Sequence, residues 1–281
     1  MKKTIQICEV GPRDGFQSIK CAQIPTEQKI QIIEELLAAG VKHMEFTSFV
    51  SPKAIPQMAD AAEVTKAVLE RHPEADLFAL VPNLRGAANA YNLGLRKVCY
   101  VVSLSVSHNK ANINRTHEQS LEAYKEIRAT YPYLDVIVDL ATTFGCPFEG
   151  KYEEPAAVVT FLKDYVDAGM KAVCLCDTIG IADPAQVKAV IEAVKAAYPS
   201  LKLAVHFHDT RGLGMVNTLT AMRPAWMRSS PLWAAWAAAP SLPAPPAIWL
   251  PSIPSGCSTR WAMTPGSASQ RFSLPQNTRK N

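Results

Sequence analysis

The sequence predicts an α/β protein of the TIM (β/α)8-barrel type, incomplete by one strand and its last helix. Three observations carry that expectation. From Thr4 to Met222, short apolar runs alternate with amphipathic stretches, the pattern of repeated β-α units around a parallel sheet. The first run ends in Gly11-Pro12-Arg13-Asp14-Gly15, not in the glycine fingerprint of a dinucleotide-binding open sheet. Polar residues also gather where strand after strand ends: Arg13 and Asp14, Glu45 with Thr47 and Ser48, Ser103 and Ser105, Asp139 with Thr142, Asp177 with Thr178, and His206, His208 and Asp209. A barrel builds its active site from such C-terminal strand ends.

Ile5 to Val10 is the first strand candidate. Thr26 then opens a helix from Glu27 to Ala39, and Gly40 stops it, the residue types favoured at those two ends. His43 to Phe46 follows as a strand, with Ala59 to Arg71 as its helix. The next pairs are Leu77 to Val81 with Arg85 to Leu93, Val98 to Val102 with His117 to Thr130, and Val136 to Leu140 with Pro155 to Ala168. Ala172 to Leu175 precedes Pro184 to Tyr198, where Asp183-Pro184 supplies a cap residue and a proline at the first helical position. Leu203 to Phe207 is the seventh strand, and a seventh helix begins near Gly214.

Composition divides the chain after Met222. The whole carries a charge of +4, yet residues 223–281 hold six Lys/Arg, no acid, all five Trp and ten of the 21 Pro, leaving residues 1–222 at −2. The basic balance therefore belongs to the tail and is no argument for a nucleic-acid partner. The expected organisation is a barrel domain over 1–222 and a poorly ordered Pro/Ala/Trp-rich tail over 223–281. No apolar window is long enough for a membrane span, and Met1 to Cys8 lacks a signal-peptide core, so a soluble cytoplasmic protein without a membrane partner is expected. Seven scattered Cys do not make a disulfide scaffold, and reduced thiols are expected.

His206 and His208 lie two apart on one strand, so their imidazoles face the same way. With Asp14 ending the first strand, they are the expected metal ligands, and a mixed N/O set suits a divalent cation such as Mg²⁺ or Mn²⁺. Arg13 is an always-charged partner for a developing enolate or carboxylate. Glu45 is either its buried ion partner or an orienting group. Gln17, Ser48, Asn112 and Thr178 are the candidate substrate hydrogen-bonders, each also of a type that caps helices or satisfies loops. Cys146, Cys174 and Cys176 are read as packing residues.

Five segments together resemble the hydroxymethylglutaryl-CoA lyases: Gly11-Pro12-Arg13-Asp14-Gly15-Phe16-Gln17, Glu45 to Lys53, Gly145 to Lys151, Asp177-Thr178-Ile179-Gly180, and His206-Phe207-His208-Asp209-Thr210. The resemblance covers residues 4 to 222. It implies metal-dependent cleavage of 3-hydroxy-3-methylglutaryl-CoA to acetyl-CoA and acetoacetate, a step of leucine degradation and ketone-body metabolism. It further implies Asp14, His206 and His208 as metal ligands, Arg13 as enolate stabiliser, Glu45 as its neighbour, an acyl-CoA substrate and scope for a homo-oligomer. One departure is Val106, where many lyases carry Glu. Two other readings stay open, a related metal-dependent aldolase or Claisen-type synthase, and a non-catalytic protein that binds a partner through its tail.

The resemblance also implies a Cys in a glycine-rich loop after strand 8, followed by a metal-binding Asn; neither stands after Met222. Taking the last base of each codon with the first two of the next tests for a frame change, since Trp and Met have single codons. Trp233-Ala234, Trp236-Ala237 and Trp261-Ala262 are then forced to Gly, and Trp226-Met227 and Met263-Thr264 to Asp. Synonymous choices elsewhere permit a strand, the sequence Gly-Gly-Cys-Pro-Phe-Ala-Pro-Gly and an Asn in family order. A one-base frameshift after Met222 is therefore expected, leaving strands 1 and 7 with unpaired edges and this polypeptide with little or no activity.

Overall fold

The computed structural model describes residues 6–19 and 22–222, together with the backbone of 232–237. Among these, eight parallel strands form one sheet: β1 (Gln6–Cys8), β2 (His43–Ser48), β3 (Asp76–Val81), β4 (Lys97–Ser103), β5 (Asp135–Ala141), β6 (Ala172–Asp177), β7 (Lys202–His208) and β8 (Leu232–Ala237). They lie in the order β1-β8-β7-β6-β5-β4-β3-β2. A parallel bridge between Glu9 and Met44 joins the two ends of that order. There Glu9 N donates to His43 O at 3.0 Å, and Glu45 N to Glu9 O at 2.8 Å. The sheet thus curls into the expected TIM-type barrel, and no helix follows β8 among the described residues.

The expectation of unpaired edges on the first and seventh strands is corrected. Leu232–Ala237 fills the gap, Gln6 to Cys8 pairing with Trp233 to Ala235 on one side and Leu203 to His208 with Leu232 to Ala237 on the other. Proline density misled that expectation. Prolines exclude themselves from central strands because they cannot donate to the ladder, but the run from Leu232 to Pro240 is proline-free up to its end and long enough for one strand. The remainder of the tail, and the side chains of β8, lie outside the described residues.

Alternation along each strand divides the side chains into two cores. On β5, Val136, Val138 and Leu140 pack outward with the helices, while Ile137 joins a separate interior cluster. Likewise Val173 and Leu175 of β6 face outward and Cys174 inward, and Val98, Tyr100 and Val102 of β4 face outward and Cys99 inward. Helices α1 (Thr26–Ala38), α2 (Ala61–Arg71) and α3 (Leu84–Asn92) follow the first three strands. After β4 come α4 (Val106–Ile113) and α5 (His117–Thr130), and then α6 (Pro155–Asp167), α7 (Pro184–Ala197) and α8 (Gly214–Ala221) follow β5, β6 and β7. The short α4 was not anticipated from sequence. Its start is fixed by Ser105, whose Oγ accepts from His108 N at 2.9 Å, and its end by Asn114 in the left-handed region at φ 53°.

A buried ion pair ties α1 to the turn before α2. Lys29 Nζ lies 2.7 Å from Asp60 and also donates to the Gln57 carbonyl. Lys29→Met is expected to leave the partly exposed Asp60 carboxylate with only the Thr26 hydroxyl as partner and to cost about 1–3 kcal/mol, read as a lowered urea midpoint at unchanged slope. A midpoint within error of the parent would mean that the pair contributes nothing.

Candidate metal centre

The site is assembled at the C-terminal mouth of the barrel. Directly after β1 comes a π-type turn over Gly11–Gly15, at whose start Asp14 N donates to Val10 O at 2.7 Å. That turn buries Arg13 and Asp14 side by side. Their side chains form a fork. Arg13 Nη1 meets Asp14 Oδ1 at 2.8 Å and Nη2 meets Glu45 Oε2, from β2, at 2.7 Å.

Asp14 holds the β1 and β7 ends together. Its Oδ1 also accepts from Gln17 Nε2 at 2.6 Å. Its Oδ2 lies 2.9 Å from His208 Nε2 and 3.6 Å from His206 Nε2. Burial alone would raise the Asp14 pKa, but Arg13 and the two imidazoles hold it well below the usual carboxylate range. His206 is pushed down to about 3, chiefly by burial and then by His208. It is therefore a neutral ring, and its Nε2 is buried without a hydrogen-bond partner.

His208 differs because its second nitrogen is engaged. Nδ1 lies 2.7 Å from the Thr178 carbonyl, which only accepts, so Nδ1 carries the proton. Nε2 then faces an acceptor as well, and the Asp14 contact outweighs burial and raises the His208 pKa. Both imidazoles thus aim a nitrogen at one carboxylate oxygen, and the ligand atoms of Asp14, His206 and His208 lie within 4.8 Å of one another. A lone pair without a partner, a second ring oriented by a backbone carbonyl and an ionised carboxylate fit a divalent cation.

The loop after β6 sets the His208 ring. Asp177 accepts from Ile181 N at 2.9 Å and Ala182 N at 3.0 Å, and Gly180 within that turn has φ +64°. A Cβ at Gly180 would collide with Thr210 Oγ1 and stand 2.8 Å from the His208 carbonyl. Gly180→Ala is therefore expected to displace the Thr178 and His208 backbone and weaken Mn²⁺ binding roughly 10–100-fold, measured by calorimetry. Unchanged affinity would show that the turn does not position the ring.

The other sequence candidates divide. Gln17 is at the site, but its amide is spent on Asp14. Thr178 is at the site through its carbonyl, while its Oγ1 accepts from Thr142 N at 2.7 Å. Ser48 is fully buried at the end of β2 with its Oγ unpartnered. Asn112 is exposed on α4 and is not brought to the cluster. Sequence reasoning passed over Glu149, which accepts from Ser105 Oγ at 2.8 Å and Ser107 N at 3.0 Å and so anchors the Gly145–Lys151 hairpin to the start of α4. The only signal for it was its place in the Gly-Cys-Pro-Phe-Glu-Gly-Lys segment.

A closed parallel barrel with this cluster at its mouth defines the class, a TIM-barrel protein carrying a candidate metal-ligand triad beside a buried guanidinium. Residues 4–226 match the HMGL-like family, and the chain belongs to that enzyme family. Hydroxymethylglutaryl-CoA lyase YngG of Bacillus subtilis is 41% identical over 223 residues, 79% of this chain and 74% of that protein. The mitochondrial hydroxymethylglutaryl-CoA lyase of Arabidopsis thaliana is also 41% identical over 223 residues, 79% of this chain and 47% of that protein. A solved HMG-CoA lyase from Acinetobacter baumannii, in complex with coenzyme A and 3-methylmalate, is 38% identical with a TM-score of 0.74, covering 83% of this chain and 74% of that one. Among the described residues no helix is long and apolar enough to cross a membrane.

Proposed function

We propose that this barrel is a divalent-cation-dependent carbon–carbon lyase that acts on 3-hydroxy-3-methylglutaryl-CoA to give acetyl-CoA and acetoacetate, in the cytoplasm. The reading rests chiefly on one observation, the unpartnered His206 Nε2 and the His208 Nε2 converging on Asp14 beside Arg13. Asp14, His206 and His208 would hold Mg²⁺ or Mn²⁺. When bound, such an ion supplies Lewis-acid polarisation of hydroxyl and carboxylate oxygens.

The chain's own residues supply the rest. Arg13 is held in one orientation by Asp14 and Glu45, so its charge is fixed before substrate arrives. A preorganised guanidinium stabilises a thioester oxygen as it gains enolate charge. Gln17 restrains Asp14, and the Thr178 carbonyl fixes the His208 tautomer. The CoA-bound Acinetobacter relative supports an acyl-CoA as substrate.

The 281-residue polypeptide is proposed to have little activity, because the residues after Met222 supply neither the Cys loop nor the Asn that the family resemblance implies. Residues 223–281 are proposed to be out of frame. A frame-restored protein assayed on a panel of acyl-CoAs and oxo acids tests the substrate. Preference for 3-hydroxy-3-methylglutaryl-CoA is expected, and preference for another acyl-CoA or an oxo acid would favour the aldolase or synthase reading. His206→Ala and His208→Ala are each expected to weaken Mn²⁺ binding more than about tenfold, and undiminished binding would place the cation elsewhere.

A further inference from the structure

One buried acid has no place in the chemistry above. Asp139 stands on β5 between outward-facing Val138 and Leu140, so it points into the barrel, in register with inward-facing Cys174 on β6. Its carboxylate lies within 4.8 Å of those of Glu45 and the thiol of Cys99. Glu45 uses only Oε2, on Arg13; its Oε1 is buried with no hydrogen-bond partner. Arg13 is already shared by two carboxylates, Asp14 and Glu45. A third carboxylate beneath them has no cation of its own, whereas a carboxylic acid there would bring the donor that Glu45 lacks.

We propose that Asp139 and Glu45 form a carboxyl–carboxylate pair sharing one proton, Asp139 being the acid that carries it and Glu45 the anion that orients Arg13. This makes Asp139 a positioning residue, acting through Glu45. The proposal rests on the cluster geometry and not on the identity of the substrate.

Burial, then the Glu45 charge, pushes Asp139 up to about 8, with Arg13 and a hydrogen bond from the Cys99 thiol pulling the other way. Burial raises Glu45 as well, but its ion pair with Arg13 pulls it back toward the anion. Burial likewise raises Cys8 on β1 and Cys99 on β4, and the Cys176 contact and burial raise Cys174 on β6, so these thiols stay protonated at neutral pH. Cys176 is also raised, and His206 on β7 is neutral. From β3 the interior cluster receives Phe78, over whose ring Lys97 Nζ of β4 sits at 5.4 Å while paired with Asp76 of β3, and Leu232–Ala237 contains no titratable residue.

The sign for stability follows. A carboxyl whose folded pKa lies above its unfolded value keeps a proton in the native state that the unfolded chain has lost. Stability from this group is intact below the unfolded carboxylate pKa of about 4, and declines as the pH rises through about 8.

The test is infrared difference spectroscopy of the full chain, chelator-treated so that no cation sets the midpoint. At about pH 6 the parent is expected to show a protonated-carboxyl stretching band that Asp139→Asn lacks. Its melting temperature should fall from pH 6 to pH 9, and Asp139→Asn should flatten that fall. Absence of the band in the parent, or its persistence in Asp139→Asn, overturns the proposal. Should Asp139→Asn fail to fold, Glu45→Gln decides: removing the neighbouring charge is expected to lower the band's titration midpoint by at least about one unit, and an unmoved midpoint overturns the pairing.

Discussion

Inserting one base after codon 222, where the change of frame is proposed, is expected to raise acetyl-CoA release from 3-hydroxy-3-methylglutaryl-CoA by about 10²–10⁴-fold over the 281-residue chain. The range is what a positioned acid or base contributes, and on the proposed frame the restored chain would regain the Cys that the family resemblance implies as the acid protonating the departing enolate. Wall repair alone does not substitute for it. Leu232-Trp233-Ala234-Ala235-Trp236-Ala237 fills the eighth strand position through its backbone, yet it includes no acid, thiol, imidazole or amide. The Asp14, His206 and His208 cluster on β1 and β7 lies before the proposed change of frame, so both proteins are expected to bind Mn²⁺, the 281-residue chain without the Asn that the resemblance implies. A coupled assay at saturating Mg²⁺ measures the difference, and equal turnover by the two chains would sink both the inactivity and the role assigned to the lost loop.

Arg13→Lys in the frame-restored protein should lower kcat by about 10²–10³-fold while leaving Mn²⁺ affinity close to the parent. Lysine keeps the charge but not the planar fork, so it can satisfy Asp14 or Glu45, not both at the 2.8 and 2.7 Å seen for the guanidinium. Lysine is preferred to methionine as the test because removing the cation altogether would leave Glu45 buried and unpaired, a stability cost of about 3–5 kcal/mol that would obscure the kinetics. A fall in cation affinity as large as the fall in kcat would instead assign Arg13 to holding Asp14 in place.

Most of the barrel was legible because its strands are short apolar runs between turn residues, and its site because Asp14, His206 and His208 end strands that the (β/α)8 order brings together. What escaped the sequence depended on distance. Gln17 reads equally as a substrate contact or a loop residue until its amide is seen 2.6 Å from Asp14. Asn112 and Asn109 are the same residue type three positions apart on α4, but Asn109 is the fully buried one, bonded to Ser103 N, Arg115 O and Ser120 Oγ. The weak amphipathicity of that helix gave no means of choosing between them. Asp139 was visible as a polar residue at a strand end. Only the inward facing of β5 and the unpartnered Glu45 oxygen carry the pairing proposed for it.

The pairing of Gln6 with Trp233 spans 227 positions, whereas β1 meets β2 through Glu9 and Met44, 35 apart. Closing the longer loop costs about 1.7 kcal/mol more chain entropy by logarithmic scaling, and such distant contacts form late. During synthesis β1 waits through nearly the whole of translation before the segment that seals it leaves the ribosome. Folding rate should therefore respond to changes near Leu232–Ala237 far less than unfolding rate does, because that seam is the last part of the barrel to form.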